Sequence, residues 1–334
     1  MQLQFSFIIP VYNRPDEIHE LLQSFTEMKT DENYEIVIVE DGSTIPSKDV
    51  VEGFKSSLNI SYFFKKNSGP GDSRNFGMKH AKGNYFIILD SDCILPSNYL
   101  QEVSKSLKLE YVDCYGGPDA AHESFSNLQK AINFSMTSFI TTGGIRGNKN
   151  SVDQFQPRSF NMGISKKAFE ASHGFGTIHP GEDPDLSIRL WKLGFKTKLI
   201  PEAYVFHKRR ISWSKFYKQV NKFGMVRPIL NHWHPTTKKI TYWFPTVFCL
   251  GFLLAVCLYF VSIHWLLLVY ILYFILAFLI ALWSVKNVSV ALLSILAIGV
   301  QFFGYGYGFL KSTILLQYSK NEPETLFPEL FFKL

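Results

Sequence analysis

"YFIILDSDCI", residues 85–94, runs five apolar or aromatic residues straight into two carboxylates separated by one serine. A continuous apolar run of this length reads as a strand buried on both faces. Three earlier runs repeat it: "FSFIIP" ending at Pro10, "YEIVIV" at Val39 and "ISYFF" at Phe64, in steps of 29, 25 and 25 residues up to Leu89. Between the first two, Ile18, Leu21, Leu22 and Phe25 share one helical stripe, with Asp16 as the expected cap after Pro15. Strands and helices that alternate in this way predict an α/β fold, a mainly parallel sheet with flanking helices. Ligands of such sheets bind beyond the carboxyl ends of the strands. Those ends carry Tyr12-Asn13-Arg14, Glu40-Asp41-Gly42 and Asp90-Ser91-Asp92. No glycine follows the first strand, so the G-x-G-x-x-G turn of a dinucleotide fold is excluded.

Two carboxylates one residue apart commonly end as solvated turn acids. At the mouth of a buried strand their repulsion calls for a cation, and oxygen ligands suit Mg²⁺ or Mn²⁺. A carboxylate-held ion keeps positions open for substrate phosphates, which points to a nucleoside diphosphate or triphosphate derivative. Gly69-Pro70-Gly71 precedes a predicted helix over 73–81; its start, with Arg74, could hold a phosphate or be an ordinary turn. Further on, Glu182, Asp183 and Asp185 stand ahead of the helical pattern Leu186, Leu190, Leu193. Acids favour a helix start for electrostatic reasons alone.

"FIIPVYNR", "VIVEDGS", "GDSRNFG", "ILDSDC", "FNMGIS", "GEDPDLSIRLWKLG" and "VFH" follow one another in an order and spacing that resembles the family 2 glycosyltransferases of GT-A fold, across roughly residues 3–225. The resemblance implies a nucleotide-diphospho-sugar transferase fold and a metal-dependent, inverting transfer of one sugar. It places Pro10, Tyr12 and Asp41 on the nucleotide base and ribose of the donor, with a UDP-sugar expected from Asp41. Arg74 is counted with these donor-binding residues. Asp90 would lie near the ribose, Asp92 would coordinate Mg²⁺ or Mn²⁺ on the diphosphate, and His207 would complete the metal shell beside Asp90. Without the resemblance, His207 reads as a surface residue next to Lys208, Arg209 and Arg210. Direct displacement needs a carboxylate to accept the proton of the attacking hydroxyl. By the resemblance that base is Asp183, near its ordinary pKa, with Glu182 holding the acceptor and Asp185 a cap. Asn161 and Gly163 match positions on the acceptor side. The glycine-rich stretch 141–150 reads either as a segment that orders over the donor or as an exposed loop.

The second half of the chain is of another kind. Residues 242–285 hold no Asp, Glu, Lys or Arg for 44 residues, and 287–310 are a further 24 uncharged residues. A bilayer core takes about 20 apolar residues per helix, so three spans are expected, breaking at Ser262-Ile263-His264 and at Lys286-Asn287. Twelve Lys or Arg against one acid, Glu202, lie in residues 192–239. That bias puts this side in the cytoplasm against anionic lipid, and a basic block abutting an apolar run favours membrane lipids over nucleic acid as partner. The expected layout is a GT-A catalytic domain over 1–235, an all-α transmembrane region over 242–312 and a short tail over 313–334, left outside by three crossings. The chain would be a multi-pass protein of an inner or plasma membrane with its catalytic domain cytoplasmic. Within 212–226, Trp213, Phe216, Tyr217 and Val220 share a helical face after the candidate cap Ser212, which reads as an interfacial helix lying on the membrane or as a stripe packed against the catalytic domain. Gln219 opens a relaxed form of the Q-x-x-R-W motif of processive synthases, in which Lys222 and Phe223 replace Arg and Trp. It is assigned to the acceptor. With only three spans, transfer of a single sugar to a lipid-linked or membrane-proximal glycan acceptor is expected.

Four cysteines without a C-x-x-C pair suggest neither a disulfide framework nor a zinc site. The start "MQLQFSFIIPVYN" lacks the basic region and cleavage site of a signal peptide. Two rival readings differ in class. A haloacid-dehalogenase-type phosphatase also carries Asp-x-Asp after a strand, but it wants Thr or Val where this chain has Ile94. A non-catalytic nucleotide-sugar-binding membrane subunit would have no need of Asp183.

Overall fold

The computed structural model describes residues 2–120, 125–143, 155–207 and 212–332. The chain divides into two units, one made of Met1–His122, Lys149–Lys208 and Phe331–Leu334, the other of Glu123–Asn148 and Arg209–Leu330.

In the first unit β1 (Phe5–Val11), α1 (Pro15–Thr26), β2 (Tyr34–Asp41), α2 (Lys48–Phe54), β3 (Ile60–Lys65), α3 (Pro70–His80) and β4 (Tyr85–Leu89) alternate as predicted. After β5 (Cys93–Ile94), α4 (Tyr99–Leu109), β6 (Cys114–Gly116) and β7 (Asp119–Ala120), the chain leaves for the second unit as α5 (Asn127–Thr137) and α6 (Phe139–Thr142). It returns with β8 (Asn161–Ser165), α7 (Lys166–Ser172), α8 (Glu182–Lys192), β9 (Thr197–Leu199) and β10 (Val205–His207). The main sheet runs β3-β2-β1-β4-β8-β6-β9, and a smaller one runs β5-β10-β7. The first four strands are parallel, and β8 is antiparallel to both its neighbours.

Both faces of β1, β2 and β4 are covered, which is why their sequences are continuous rather than alternating, whereas β3, expected to be buried on both faces, is the edge strand and is only half-buried, with Phe64 59% exposed. Phe7, Ile9, Ile38 and Ile87 pack with Leu21, Leu22 and Phe25 of α1 and Leu100 of α4. Ile8, Val39 and Ile88 pack on the other face with Met78 of α3 and Leu186 and Leu190 of α8. Four expected strand ends fall within two residues of those observed. Asp16 lies inside the first turn of α1 rather than capping it, because Pro15 already opens the helix and Arg14 holds the cap position.

The second unit contains α9 (Trp213–Trp233), α10 (Phe244–Tyr259), α11 (Trp265–Val285), α12 (Val288–Tyr318) and α13 (Pro323–Leu326). Three helical segments, Ile240–Tyr259, Trp265–Val285 and Val288–Tyr318, are long and apolar enough to cross a membrane. The breaks fall at the expected places, and the Asn287 side chain caps α12 by accepting from the Val290 N–H at 3.1 Å. Ser212 caps α9 as expected.

Three expectations change. The stripe of α9 packs in part within its own helical unit: Phe216 and Val220 are buried with Ile132 and Met136 of α5 and Ala297 of α12, while Tyr217 stays 42% exposed. For that reason α9 belongs with the helical unit, and the sheet unit closes near Lys208 rather than at residue 235. The tail is not separate either. Phe331 forms a β-bridge with Ile178 and the Phe332 N–H donates to the Thr177 carbonyl at 3.0 Å, so the chain re-enters the sheet unit. Most of the 141–150 stretch and the Lys208-Arg209-Arg210 run lie outside the described residues.

Gly163 in β8 lies under the ring of Tyr115 from β6, where any Cβ would strike the ring. Gly163→Val is expected to cost about 1–3 kcal/mol through overpacking, read as a lower denaturant midpoint of the detergent-purified chain.

Candidate active site

Asp90 follows β4 and Asp92 precedes β5 in a turn closed by the Cys93 N–H donating to the Asp90 carbonyl at 3.2 Å. β5 pairs with β10 so that His207 stands opposite Cys93, which carries the imidazole to the aspartates. His207 Nε2 lies 3.1 Å from Asp92 Oδ1 and 3.9 Å from Asp90 Oδ2. Asp92 Oδ2 accepts from Arg14 at 2.8 Å, and Asp90 Oδ1 accepts from Arg74 at 2.8 Å. Guanidinium groups thus occupy the outer oxygens of the pair, leaving the inner two turned to His207.

Two carboxylate oxygens and one imidazole nitrogen are a donor set that suits a divalent ion of the Mn²⁺ or Mg²⁺ type. The buried Nδ1 of His207 has no hydrogen-bond partner among the described residues, and the Phe160 ring stacks on the imidazole at 4.7 Å, fixing its plane. The expected trio of Asp90, Asp92 and His207 therefore comes together in space. Cys93 also brings its sulfur within 4.8 Å of the Asp92 and His207 ligand atoms. Burial, aided by the charges of Asp92 and Asp90, pushes its thiol well above the usual range, and the thiol donates to the Phe160 carbonyl at 3.5 Å. A protonated thiol is a poor ligand for a hard ion.

The acids of α8 are tied to this pair by one side chain. Arg74, on α3, is 3% exposed and donates to Asp90 and, at 2.9 Å, to Glu182 Oε1. Arg74 was expected at a donor phosphate; the structure instead makes it a buried strut, since both carboxylates reach it first. His179 Nδ1 lies 3.0 Å from the same Glu182 oxygen. Burial alone would raise the Glu182 carboxyl, but His179 and Arg74 outweigh it and hold the group well below the ordinary carboxylate range. Asp183 behaves oppositely. Burial raises its carboxyl above the ordinary value and Glu182 adds repulsion, against the opposing pull of Arg158 at 3.6 Å and of Arg74. The expectation of an ordinary pKa for Asp183 is thereby corrected upward. Asp185 is no cap: it bonds Arg189 at 2.9 Å one turn on, and Arg189 donates to the Gly174 carbonyl at 2.6 Å.

The remaining expected residues are placed as follows. Tyr12 is 52% exposed just past β1, and Pro10 is half-buried within it. Asp41 is buried at the end of β2, where one oxygen accepts from Lys65 Nζ at 2.7 Å and from the Ser68 N–H at 3.0 Å, and the other from the Gly69 N–H at 2.9 Å. Gly69 needs its φ of +93° for this approach, and Phe332 occupies the space a side chain there would fill. Asn161 is fully buried: Tyr99 donates to its Oδ1 at 2.6 Å and its Nδ2 donates to the Ala203 carbonyl at 2.7 Å. The acceptor contact expected of Asn161 is corrected to a structural one, because its amide joins α4 to the chain before β10. Gln219 lies on α9 in the helical unit, half-buried. Arg14 was expected at a strand end but with no partner assigned, and Lys65, Arg158 and His179 carried no expectation. The signal that could have found them is charge balance, since so many acids at strand and helix ends require nearby cations.

Residues 6–171 match the family model described as glycosyl transferase family 2. An uncharacterized glycosyltransferase of Rickettsia bellii (strain RML369-C) is 40% identical over 96 residues, 29% of this chain and 14% of that protein. The poly(ribitol-phosphate) beta-N-acetylglucosaminyltransferase TarS of Staphylococcus aureus (strain Mu50 / ATCC 700699) is 32% identical over 116 residues, 33% of this chain and 20% of that protein. The chain thus spans a minor part of both relatives. Among solved structures, the mannosyltransferase PcManGT of Pyrobaculum calidifontis, in complex with GDP-Man and Mn²⁺, shares the fold with a TM-score of 0.57 at 15% identity, over 96% of this chain and 89% of that one.

Arg74→Met leaves the buried Glu182 carboxylate with His179 alone, and a loss of about 3–5 kcal/mol is expected. Unfolding of Arg74→Met beside Arg74→Met/Glu182→Leu checks this, the double variant recovering most of the loss.

Proposed function

Since residues 6–171 place this chain in glycosyltransferase family 2, we propose that it is a metal-dependent, inverting enzyme that moves one sugar from a nucleoside-diphosphate donor to a lipid-linked or membrane-proximal glycan acceptor. The observation that carries the reading is the bridge through Arg74, which joins the acid pair at the end of β4 to the acids opening α8. A donor end and an acceptor end are thereby held in one crevice.

Asp90, Asp92 and His207 would hold Mn²⁺ or Mg²⁺ against the donor diphosphate, and imidazole in the set favours Mn²⁺. The bound ion supplies positive charge that stabilises the departing diphosphate. Exposed Tyr12 offers its ring to the base, while Asp41 acts through the Ser68-Gly69 turn it organises, with a uridine nucleotide as the favoured donor. Asp183 accepts the proton of the acceptor hydroxyl as its oxygen forms the new bond to the anomeric carbon and the bond to the diphosphate breaks. Burial raises the proton affinity of Asp183, which suits a base, and Arg158 offsets the cost of its charge. Glu182, held ionised by Arg74 and His179, orients the acceptor side.

The apolar helices support a membrane setting, and the basic residues before α10 support a cytoplasmic sheet unit. Phe331 belongs to the same unit as Ile178, so an even number of crossings separates Lys208 from Phe331. α10 and α11 are the natural crossing pair. α12 has one face covered by α9 and packs with α10 and α11 through Ala291, Ile298 and Phe302.

Nucleoside diphosphate release from UDP- and GDP-sugars tests the proposal, with Mn²⁺ or Mg²⁺, with and without a membrane lipid extract. Metal- and lipid-dependent release is expected, lost in Asp92→Ala, and lost in Asp183→Asn with donor binding by calorimetry retained. Metal-independent release would sink the reading, and binding without any turnover would favour a non-catalytic subunit. The base must be ionised, so activity falls as pH drops through the pKa of Asp183. Arg158→Gln removes a cation that favours the ionised form, so the acid limb of kcat/KM is expected to move to higher pH with little change in the plateau.

A further inference from the structure

The helical unit contains a cavity of about 440 Å³ between the end of α9, the segment leading into α10 and the last turns of α12. Its walls are apolar where Ile240, Trp243 and Phe309 line it, and Trp243 meets Phe309 edge-on at 5.0 Å. Its polar lining includes Lys238, Lys239 and His232, and among the described residues no carboxylate lines it. Both lysines are exposed and make no ion pair among the described residues. Asn231 also lines it, and its buried Oδ1 has no hydrogen-bond partner among the described residues. A buried acceptor left unmade costs free energy unless something fills it.

We infer that this cavity binds an anionic glycerophospholipid of the bilayer whose headgroup carries a free hydroxyl. The phosphate pairs with Lys238 and Lys239, the hydroxyl donates to Asn231, and the first methylenes of the acyl chains lie along Trp243 and Phe309. The place suits such a ligand. Lys238 and Lys239 come directly before the apolar segment Ile240–Tyr259, and Trp233, Tyr242 and Trp243 flank them in the sequence, as aromatics do at a membrane interface. Arg227 lies over the Tyr242 ring at 4.6 Å, adding to the positive potential at that level. A volume of this size matches a headgroup and the start of its chains rather than a small inorganic anion. The inference rests on the membrane reading but not on sugar transfer.

Native mass spectrometry of the full chain in an uncharged detergent tests it, with dioctanoyl phosphatidylglycerol, dioctanoyl phosphatidylcholine and inorganic phosphate as probes. Retention of phosphatidylglycerol over phosphatidylcholine is expected. Lys238→Gln/Lys239→Gln should weaken phosphatidylglycerol binding roughly thirtyfold and leave phosphatidylcholine and donor turnover in detergent unchanged. Lys286→Gln/Lys320→Gln, outside the cavity, should leave it within about twofold. Equal binding of the two lipids, an undiminished signal in the first pair, an equal loss in the second, or displacement by millimolar phosphate would each overturn the assignment.

Discussion

The Arg74 guanidinium, buried between Asp90 and Glu182, is the interaction on which the arrangement of this chain turns. Removing three charged groups from water is costly, and hydrophobic side chains of like volume would stabilise the fold at least as well. What the triad supplies is position. It sets the end of β4, the second turn of α3 and the first turn of α8 at fixed separation, and it sets the two α8 acids apart. Glu182, facing the cation and His179, is driven toward its charged form, whereas Asp183, one residue on, is buried with weaker compensation and its proton affinity rises. Adjacent acids with opposite shifts are what a division of labour between orienting and accepting a proton requires.

The same economy of cations appears at the β4–β5 turn. Arg14 and Arg74 each take an outer oxygen of the aspartate pair, and His207 faces the inner ones. The pair is tolerable in the free chain because the guanidiniums neutralise it from outside. Asp90, Asp92 and His207 are thereby held in one orientation.

The helical unit departs most from a simple reading of its sequence. Its apolar runs are legible by length, yet the aromatic stripe of α9 is buried in part against α5 and α12, and Phe331 pairs within the sheet unit. A helical stripe records only that one face is apolar. Whether lipid or protein covers it depends on α5, which lies some 80 residues earlier in the chain.

By itself the sequence determined the alternating sheet unit, its strand ends, the three long apolar helices and the standing of Asp90 and Asp92 at a strand end and of Glu182 and Asp183 at a helix start, because periodicity and length are local properties. Tertiary structure alone decided partnership: that Arg74 bridges two acids 16 and 108 residues away, that Asn161 and Asp41 bond within the protein, and that Arg14 and Arg158 face Asp92 and Asp183. The physical reason is that charge pairing and burial depend on distance through space. A residue's type states which bonds it can make, and only the packed fold states which of them it does.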